Sequence, residues 1–340
     1  MSIEKSADKP LVSVFCTVYN HEKYIRHCLD GFLMQQTNFP FEVLVHDDAS
    51  TDGSAKIIRE YEEKYPNIIK AIYQKENQYS KKVKIVKTFL LPKAQGEFIA
   101  RCEGDDYWTD SQKLQKQVDA MRAHPECRLC VHVVEDVSED EIPIGVTCPK
   151  QSIPTGIMSS EEFIGKNGDF FQLSSYFHYR SDLEKYYNSF PYFAQISDVG
   201  DKPFMLYFGQ LGDVFYINEP MSCYRQNSDG GWTTNLIKGS REKVLRHLET
   251  TVRVFREFDI YSKGRFSSVL RPIILCAEFE AARVRFPYRE PLRKQYREIY
   301  NGLPRKAKLR IWLFAMLPHL VPKIEAARRR KLHNGKNKCK

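Results

Sequence analysis

The chain has 340 residues, 42% hydrophobic and 28% charged, which excludes an intrinsically disordered polymer and allows one large domain with an appendage, or two domains. Its net charge of +9 is unevenly placed: twelve of the 52 Lys and Arg, but one of the 43 Asp and Glu, lie between Arg305 and Lys340, so that stretch carries +11 and the remainder −2. A near-neutral body argues against a nucleic-acid-binding protein.

The opening "MSIEKSADKPLVSVF" has charges but no apolar segment of the signal-peptide kind. "LVSVFCTV" then predicts a strand, and "EKYIRHCLDGFLMQ" a helix with Ile25, Cys28, Leu29, Phe32 and Leu33 at helical spacing. "FEVLVH" predicts a strand, "SAKIIREYEEKY" a helix and "NIIKAIY" a third strand. "VKIVKTFLLPKA" predicts a helix, "EFIARC" a strand, and "SQKLQKQVDAMRAH" a helix capped by Asp110 or Ser111. "CRLCVHVV" predicts a fifth strand; its Cys127 and Cys130 lack the second pair that a zinc site needs and are expected to be buried strand residues. Strand–helix alternation with continuously apolar strands predicts an α/β fold, a Rossmann-like, parallel-type sheet covered by helices on both faces.

Residues 139–155, with Pro143, Pro149 and Pro154, predict a loop. "FFQLSSYFHYR" predicts a strand, "DKPFMLYFGQL" a helix, and "DVFYINEPMSCYRQN" a strand pair joined by a turn. From Arg241 the pattern is helical, with Val244, Leu245, Leu248, Val252 and Phe255 in one stripe. The expected organisation is a tail (1–10), an α/β domain (11–235, with halves 11–135 and 136–235) and a helical C-terminal region (240–340). Nine cysteines without a scaffold spacing, no leader and no apolar run near the ~20 residues of a membrane span predict a cytoplasmic protein.

In parallel sheets, ligands sit beyond the carboxyl ends of the strands. Three polar clusters fall there: "TVYNHE" after the first strand, "DDASTDGS" after the second and "CEGDDYW" after the fourth. The second is not a calcium loop, because Arg59 occupies the place of the final bidentate Glu. Ser50 or Asp52 caps the following helix; Asp47 and Asp48 remain to be explained. No glycine-rich phosphate cradle exists, so a nucleotide's phosphates would need another counter-charge. Glu103 and Asp105, one residue apart on an extended segment, point to the same side and could hold Mg²⁺ or Mn²⁺; a solvated acidic turn is the plainer alternative.

Together "VSVFCTVYNHEKYI", "VLVHDDASTDGS", "GEFIARCEGDDYWTDSQKLQKQ", "GDKPFMLYF" and "YINEPMSCYRQN" resemble the ordered motifs of the family 2 glycosyltransferases of the GT-A fold, over roughly Leu11 to Trp232. The resemblance implies inverting transfer of a sugar from a nucleotide diphosphate donor, a UDP-sugar, with a divalent metal. It implies that Thr17, Tyr19 and Glu22 pack on base and ribose, that Asp48 binds the base, and that Glu103-Gly104-Asp105 stands for the metal-binding D-x-D, with Asp105 the surer ligand. It places Asp106 at the donor sugar and makes Asp201 of "GD" the general base, with Asp198 as rival. Arg225 is expected either to neutralise a donor phosphate or to be an ordinary surface ion-pair partner. Trp108 is expected to pack the next helix. The absence of Q-x-x-R-W and of membrane spans implies a non-processive enzyme with a saccharide or lipid-linked saccharide acceptor, in surface polysaccharide synthesis. A sugar-1-phosphate nucleotidyltransferase and a non-catalytic binding module are the alternatives.

The stretch 305–333 places Leu309, Trp312, Leu313, Met316 and Leu320 at helical offsets beside Arg305, Lys306, Lys308 and Arg310. It predicts either an amphipathic helix in the membrane interface, giving a peripheral protein on the inner face of the plasma membrane, or a core-docked helix with a solvated tail.

Overall fold

A computed structural model describes residues 9–150, 152–166, 171–226, 240–286 and 288–321. The chain divides into two compact units, Met1–Gln195 with Val199–Thr234, and Ile196–Asp198 with Asn235–Lys340.

The first unit opens with the expected alternation: β1 (Val12–Val18), α1 (Ile25–Leu33), β2 (Phe41–Asp47), α2 (Ser54–Lys64), β3 (Ile69–Tyr73) and β4 (Phe98–Glu103). β1 is buried along almost its whole length, which is why it is a continuous apolar run with no in–out alternation. Ile25, Cys28, Leu29 and Phe32 of α1 turn one face onto Val14, Cys16, Val43 and Val45 of the sheet in the same core. Between β3 and β4 the predicted helix is a π turn (Val86–Leu90) followed by a 3₁₀ turn (Leu91–Lys93). Pro92 has no backbone N–H, so regular α-helical bonding cannot run through it.

Next come β5 (Tyr107–Trp108), α3 (Lys113–Ala123), β6 (Cys127–Val137), β7 (Pro143–Cys148), β8 (Gly156–Met158), α4 (Ser160–Lys166), β9 (Phe177–Tyr179), α5 (Arg180–Ser189), α6 (Tyr192–Gln195), α7 (Asp201–Leu211) and β10 (Asp213–Arg225). Among the described residues one sheet runs β3-β2-β1-β4-β9-β6-β10-β5, with β7 on β6 and β8 on β10. β1, β2, β3 and β4 pair in parallel. Within this parallel-type sheet β9 runs antiparallel to both β4 and β6, Phe177 stacking on Phe98 at 5.1 Å. Only Phe177–Tyr179 of the predicted strand around "FFQLSSYFHYR" is a strand; Leu173–Ser175 is a 3₁₀ turn, and Phe170 lies outside the described residues. The predicted loop at 139–155 contains β7, because an edge strand tolerates a proline at its start. The predicted strand pair at 213–225 is one strand, since bulges around Pro220 absorb the residue expected to turn the chain.

Two consequences fix the site. β2 and β3 lie on one side of β1 and β4 on the other, so the crossover direction reverses there and opens a crevice at the strand ends. Register pairs Val18 with Asp47 and Thr17 with Glu103, so the three polar clusters stand side by side. At the opposite rim, buried Glu42 accepts from Ser13 Oγ (2.7 Å), Gln95 N (2.8 Å) and Lys70 Nζ (2.6 Å).

The second unit contains α8 (Arg241–Tyr261), α9 (Ser267–Val284), α10 (Arg297–Gly302) and α11 (Arg305–Met316). Of the predicted α8 stripe, Val252 and Phe255 are buried, while Val244, Leu245 and Leu248 are half-buried. Phe279, Ala282, Tyr296 and Ile311 form a separate core. No helix among the described residues is long and apolar enough to cross a membrane.

Candidate active site

The crevice is built from three loops tied by their own polar groups. After β1, Asn20 takes φ +58, a conformation asparagine tolerates. The backbone N–H of Asn20 donates to Ser50 Oγ (2.9 Å), that of His21 to Ser54 Oγ (2.8 Å) and that of Glu22 to Asp52 Oδ2 (3.0 Å). In return Thr51 N donates to Asn20 Oδ1 (2.8 Å) and Gly53 N to Glu22 Oε2 (3.0 Å). Asp52 also accepts from Ser54 N, the expected helix-start role. Glu22, expected at the ribose, therefore spends one oxygen on Gly53. Thr17 is half-buried and Tyr19 is 45% exposed at the rim.

Asp48 is buried, and its two oxygens accept from Gln78 N (2.7 Å) and Tyr79 N (3.0 Å). A base reaching it meets a carboxylate that already fixes the Gln78–Tyr79 backbone. Neighbouring Asp47 Oδ1 is buried with no hydrogen-bond partner.

After β4 the chain turns sharply, Asp106 N donating to Glu103 O and Gly104 N to Thr17 O, each at 3.0 Å. A Cβ on Gly104 would sit 2.9 Å from Val18 Cγ2 and 3.0 Å from His21 Nδ1, so glycine lets the turn lie against the end of β1. Carboxylate oxygens of Glu103, Asp105 and Asp106 then gather within 4.8 Å of one another. Burial pushes the Glu103 carboxyl up to about 8, helped by the charges of Asp105 and Asp201. Glu103 is open to solvent yet hemmed in on most sides, as a side chain on a cleft wall should be. Burial, then Asp105, raises Asp106 well above the ordinary carboxylate range. His21 Nε2 stands 4.0 Å from Asp105 Oδ2.

Arg101 is the cation whose charge opposes the rise at Glu103, and Arg225, at the end of β10, is bonded to the same turn. The Arg225 guanidinium is buried, donating from Nε to Asp105 O (2.9 Å), from Nη1 to Glu139 O (3.0 Å) and from Nη2 to Glu141 Oε1 (3.0 Å). Its backbone N–H donates to Asp106 Oδ1 (3.0 Å), and its charge lies 4.5 Å from the Tyr24 ring centre. The expected surface position is thus corrected: Arg225 is buried, each guanidinium nitrogen donates to protein, and the residue braces the acidic turn. Asp106, expected at the donor sugar, is likewise buried and tied to Arg225.

Asp201 is the first residue of α7; Gly200 is its cap residue, so Asp201 is not spent on capping. Burial raises its carboxyl and the Arg101 guanidinium pulls it back. Asp201 is near enough to Glu103 for its charge to raise that carboxyl. The rival Asp198 belongs to the other unit and is bonded to His247 Nδ1 at 2.7 Å. Trp108 is buried edge-on against Phe32, with the ammonium of Lys113 4.1 Å from its ring centre, so it packs as expected. Cys127 and Cys130 are buried in β6. Sequence reasoning missed Arg101, His21 and Glu141. His21 and Arg101 stood inside quoted motifs; nothing local marks Glu141.

A twisted α/β sheet whose switch point carries three carboxylates is the architecture of a GT-A glycosyltransferase, and its C-terminal helices extend that fold. The chain belongs to glycosyl transferase family 2, whose model matches residues 13–185. It is 45% identical over 131 residues to an uncharacterized protein of Mycobacterium tuberculosis, covering 38% of this chain and 36% of that protein. It is 35% identical over 113 residues to TuaG of Bacillus subtilis, which carries the provisional description of a teichuronic acid biosynthesis glycosyltransferase, covering 33% of this chain and 42% of TuaG. The chain thus spans about two fifths of the length of these curated relatives. The crystal structure of S. aureus TarS 1–349 in complex with UDP-GlcNAc matches with a TM-score of 0.56 at 18% identity, over 82% of each chain.

Proposed function

We propose that this chain is an inverting, non-processive glycosyltransferase that moves one sugar from a UDP-sugar to a saccharide or lipid-linked saccharide acceptor, with Mg²⁺ or Mn²⁺, in surface polysaccharide synthesis. The observation that carries the reading is the cluster of Glu103, Asp105 and Asp106 carboxylates, with Asp201 in the same unit and near enough for its charge to act on Glu103. TuaG's description favours a cell-surface polymer, and the fold shared with a UDP-GlcNAc complex favours a uridine donor.

Three hard oxygen donors within 4.8 Å, with Glu103 raised to about 8 by burial and then by the charges of Asp105 and Asp201, fit a divalent cation. Bound there, the ion would offset the charge of the departing diphosphate. Thr17 and Tyr19 line the base side, where the exposed Tyr19 ring offers a stacking face. Asp48 serves the base directly or through the Gln78–Tyr79 backbone it fixes. Asp201 takes the proton of the acceptor hydroxyl as that oxygen bonds to the anomeric carbon. The bond from that carbon to the diphosphate breaks on the opposite face, and the diphosphate leaves with the electron pair. A raised carboxyl is a stronger base, and the Arg101 charge limits the rise.

The test is a screen of nucleotide diphosphate sugars for metal-dependent thermal stabilisation and donor hydrolysis. Asp105→Asn should lose the metal-dependent stabilisation; Asp201→Asn should keep it and lose turnover. Equal stabilisation of wild type and Asp105→Asn, with or without metal, would defeat the metal assignment.

A further inference from the structure

We infer that α11 is a lipid-contact helix, its outward face laid on an anionic membrane surface. The inference deepens the lipid-linked-acceptor reading, and rests on that reading only for its biological use.

The helix has two apolar sides. Ile311 and Ala315 are buried, Ile311 in one core with Phe279, Ala282 and Tyr296, so α11 is already docked. A docked surface helix ordinarily turns a polar face outward. Here Leu309 is 58% exposed, Trp312 48% and Met316 48%. At about 100° per residue these three and half-buried Leu313 share one arc, roughly opposite Ile311 and Ala315. Lys308 borders that arc on one side and Lys306 and Arg310 on the other, with Arg305 at its N-terminal end. The helix contains no acidic residue.

Charge selects the occupant. A second copy of the same face would bring basic borders against basic borders. Anionic lipid headgroups match those borders, while acyl chains accept the apolar arc and the headgroup boundary suits Trp312. The sequence from Arg305 to Lys340, at +11, adds attraction of the same sign.

The full-length chain should sediment with vesicles of phosphatidylcholine and phosphatidylglycerol at about 3:1, and at least roughly tenfold less with phosphatidylcholine alone. Brominated lipid should quench Trp312 fluorescence. The triple variant Leu309→Ser, Trp312→Ser, Met316→Ser changes only exposed side chains; it should keep the wild-type melting temperature and lose most vesicle binding. Undiminished binding by that variant, or equal wild-type binding to both lipids, would overturn the inference. So would a wild type that ignores vesicles and forms a dimer the variant abolishes. Donor and acceptor are absent throughout, so failure here leaves the transferase reading standing, and a failed transferase assay leaves this one.

Discussion

Replacing Arg225 with methionine keeps most of the side chain's length and removes its charge. Three guanidinium bonds disappear, to Asp105 O, Glu139 O and Glu141 Oε1. Bonds to a charged group contribute about 1.5–3 kcal/mol each. Glu141 is 41% exposed and hydrates when released, so its share is heavily discounted. The two carbonyls carry the main loss, about 3 kcal/mol, which should lower the melting temperature by about 6–12 °C. A second readout follows from what the bonds hold. The Asp105 carbonyl loses its guanidinium brace while the backbone N–H of residue 225 still holds the Asp106 carboxylate, so Mn²⁺ affinity should fall roughly tenfold, as when groups behind metal ligands are removed. Arg225→Lys keeps the charge but not the fork and should fall between. Thermal unfolding and titration of free Mn²⁺ by electron paramagnetic resonance measure the two effects. A methionine variant that melts within about 2 °C of wild type and binds Mn²⁺ equally would refute the bracing role.

Other outcomes follow from the same geometry. Because the Glu103 carboxyl is raised to about 8, metal must displace a proton below that pH; Mn²⁺ affinity should climb about tenfold per unit from pH 6 to 8 and then level, and a flat titration would contradict this. The folded value lies above the unfolded one, so the folded metal-free protein holds the extra proton and should lose stability as pH rises through that window. Glu103→Gln should remove this loss, visible in melts at pH 8.5 and above. Gly104→Ala forces contacts of 2.9 and 3.0 Å on Val18 and His21 and should cost about 1–3 kcal/mol with weaker Mn²⁺ binding, read in the same two assays. Glu42→Gln, at the far rim, should cost about 2 kcal/mol in denaturant titrations and leave Mn²⁺ affinity unchanged.

Much of this was legible in the chain itself. The runs at Val12–Val18, Phe41–Asp47 and Phe98–Glu103 show their strands because burial on both faces demands unbroken apolar sequence, and α1 shows itself by its periodicity. Placing Thr17, Asp48 and Glu103 on one rim needed only the rule that parallel strands end on the same side. The strand β7 was hidden because prolines mark loops and edge strands alike, and β9 was predicted too long because three residues carry no periodic signal to fix its ends.

What the sequence could not decide was which charges meet. Arg225 stands 120 residues from Asp105, and the antiparallel pairing of β10 with β5, Ser222 opposite Trp108 and Cys223 opposite Tyr107, brings its guanidinium to the acidic turn. Asp198 and Asp201, three residues apart and nearly equal as text, part company because one is bonded to His247 in the helical unit and the other opens α7 beside Glu103. Local composition determines strands, helices and their order; a titratable group's role depends on the few ångströms around it, and those are filled by residues distant in the chain.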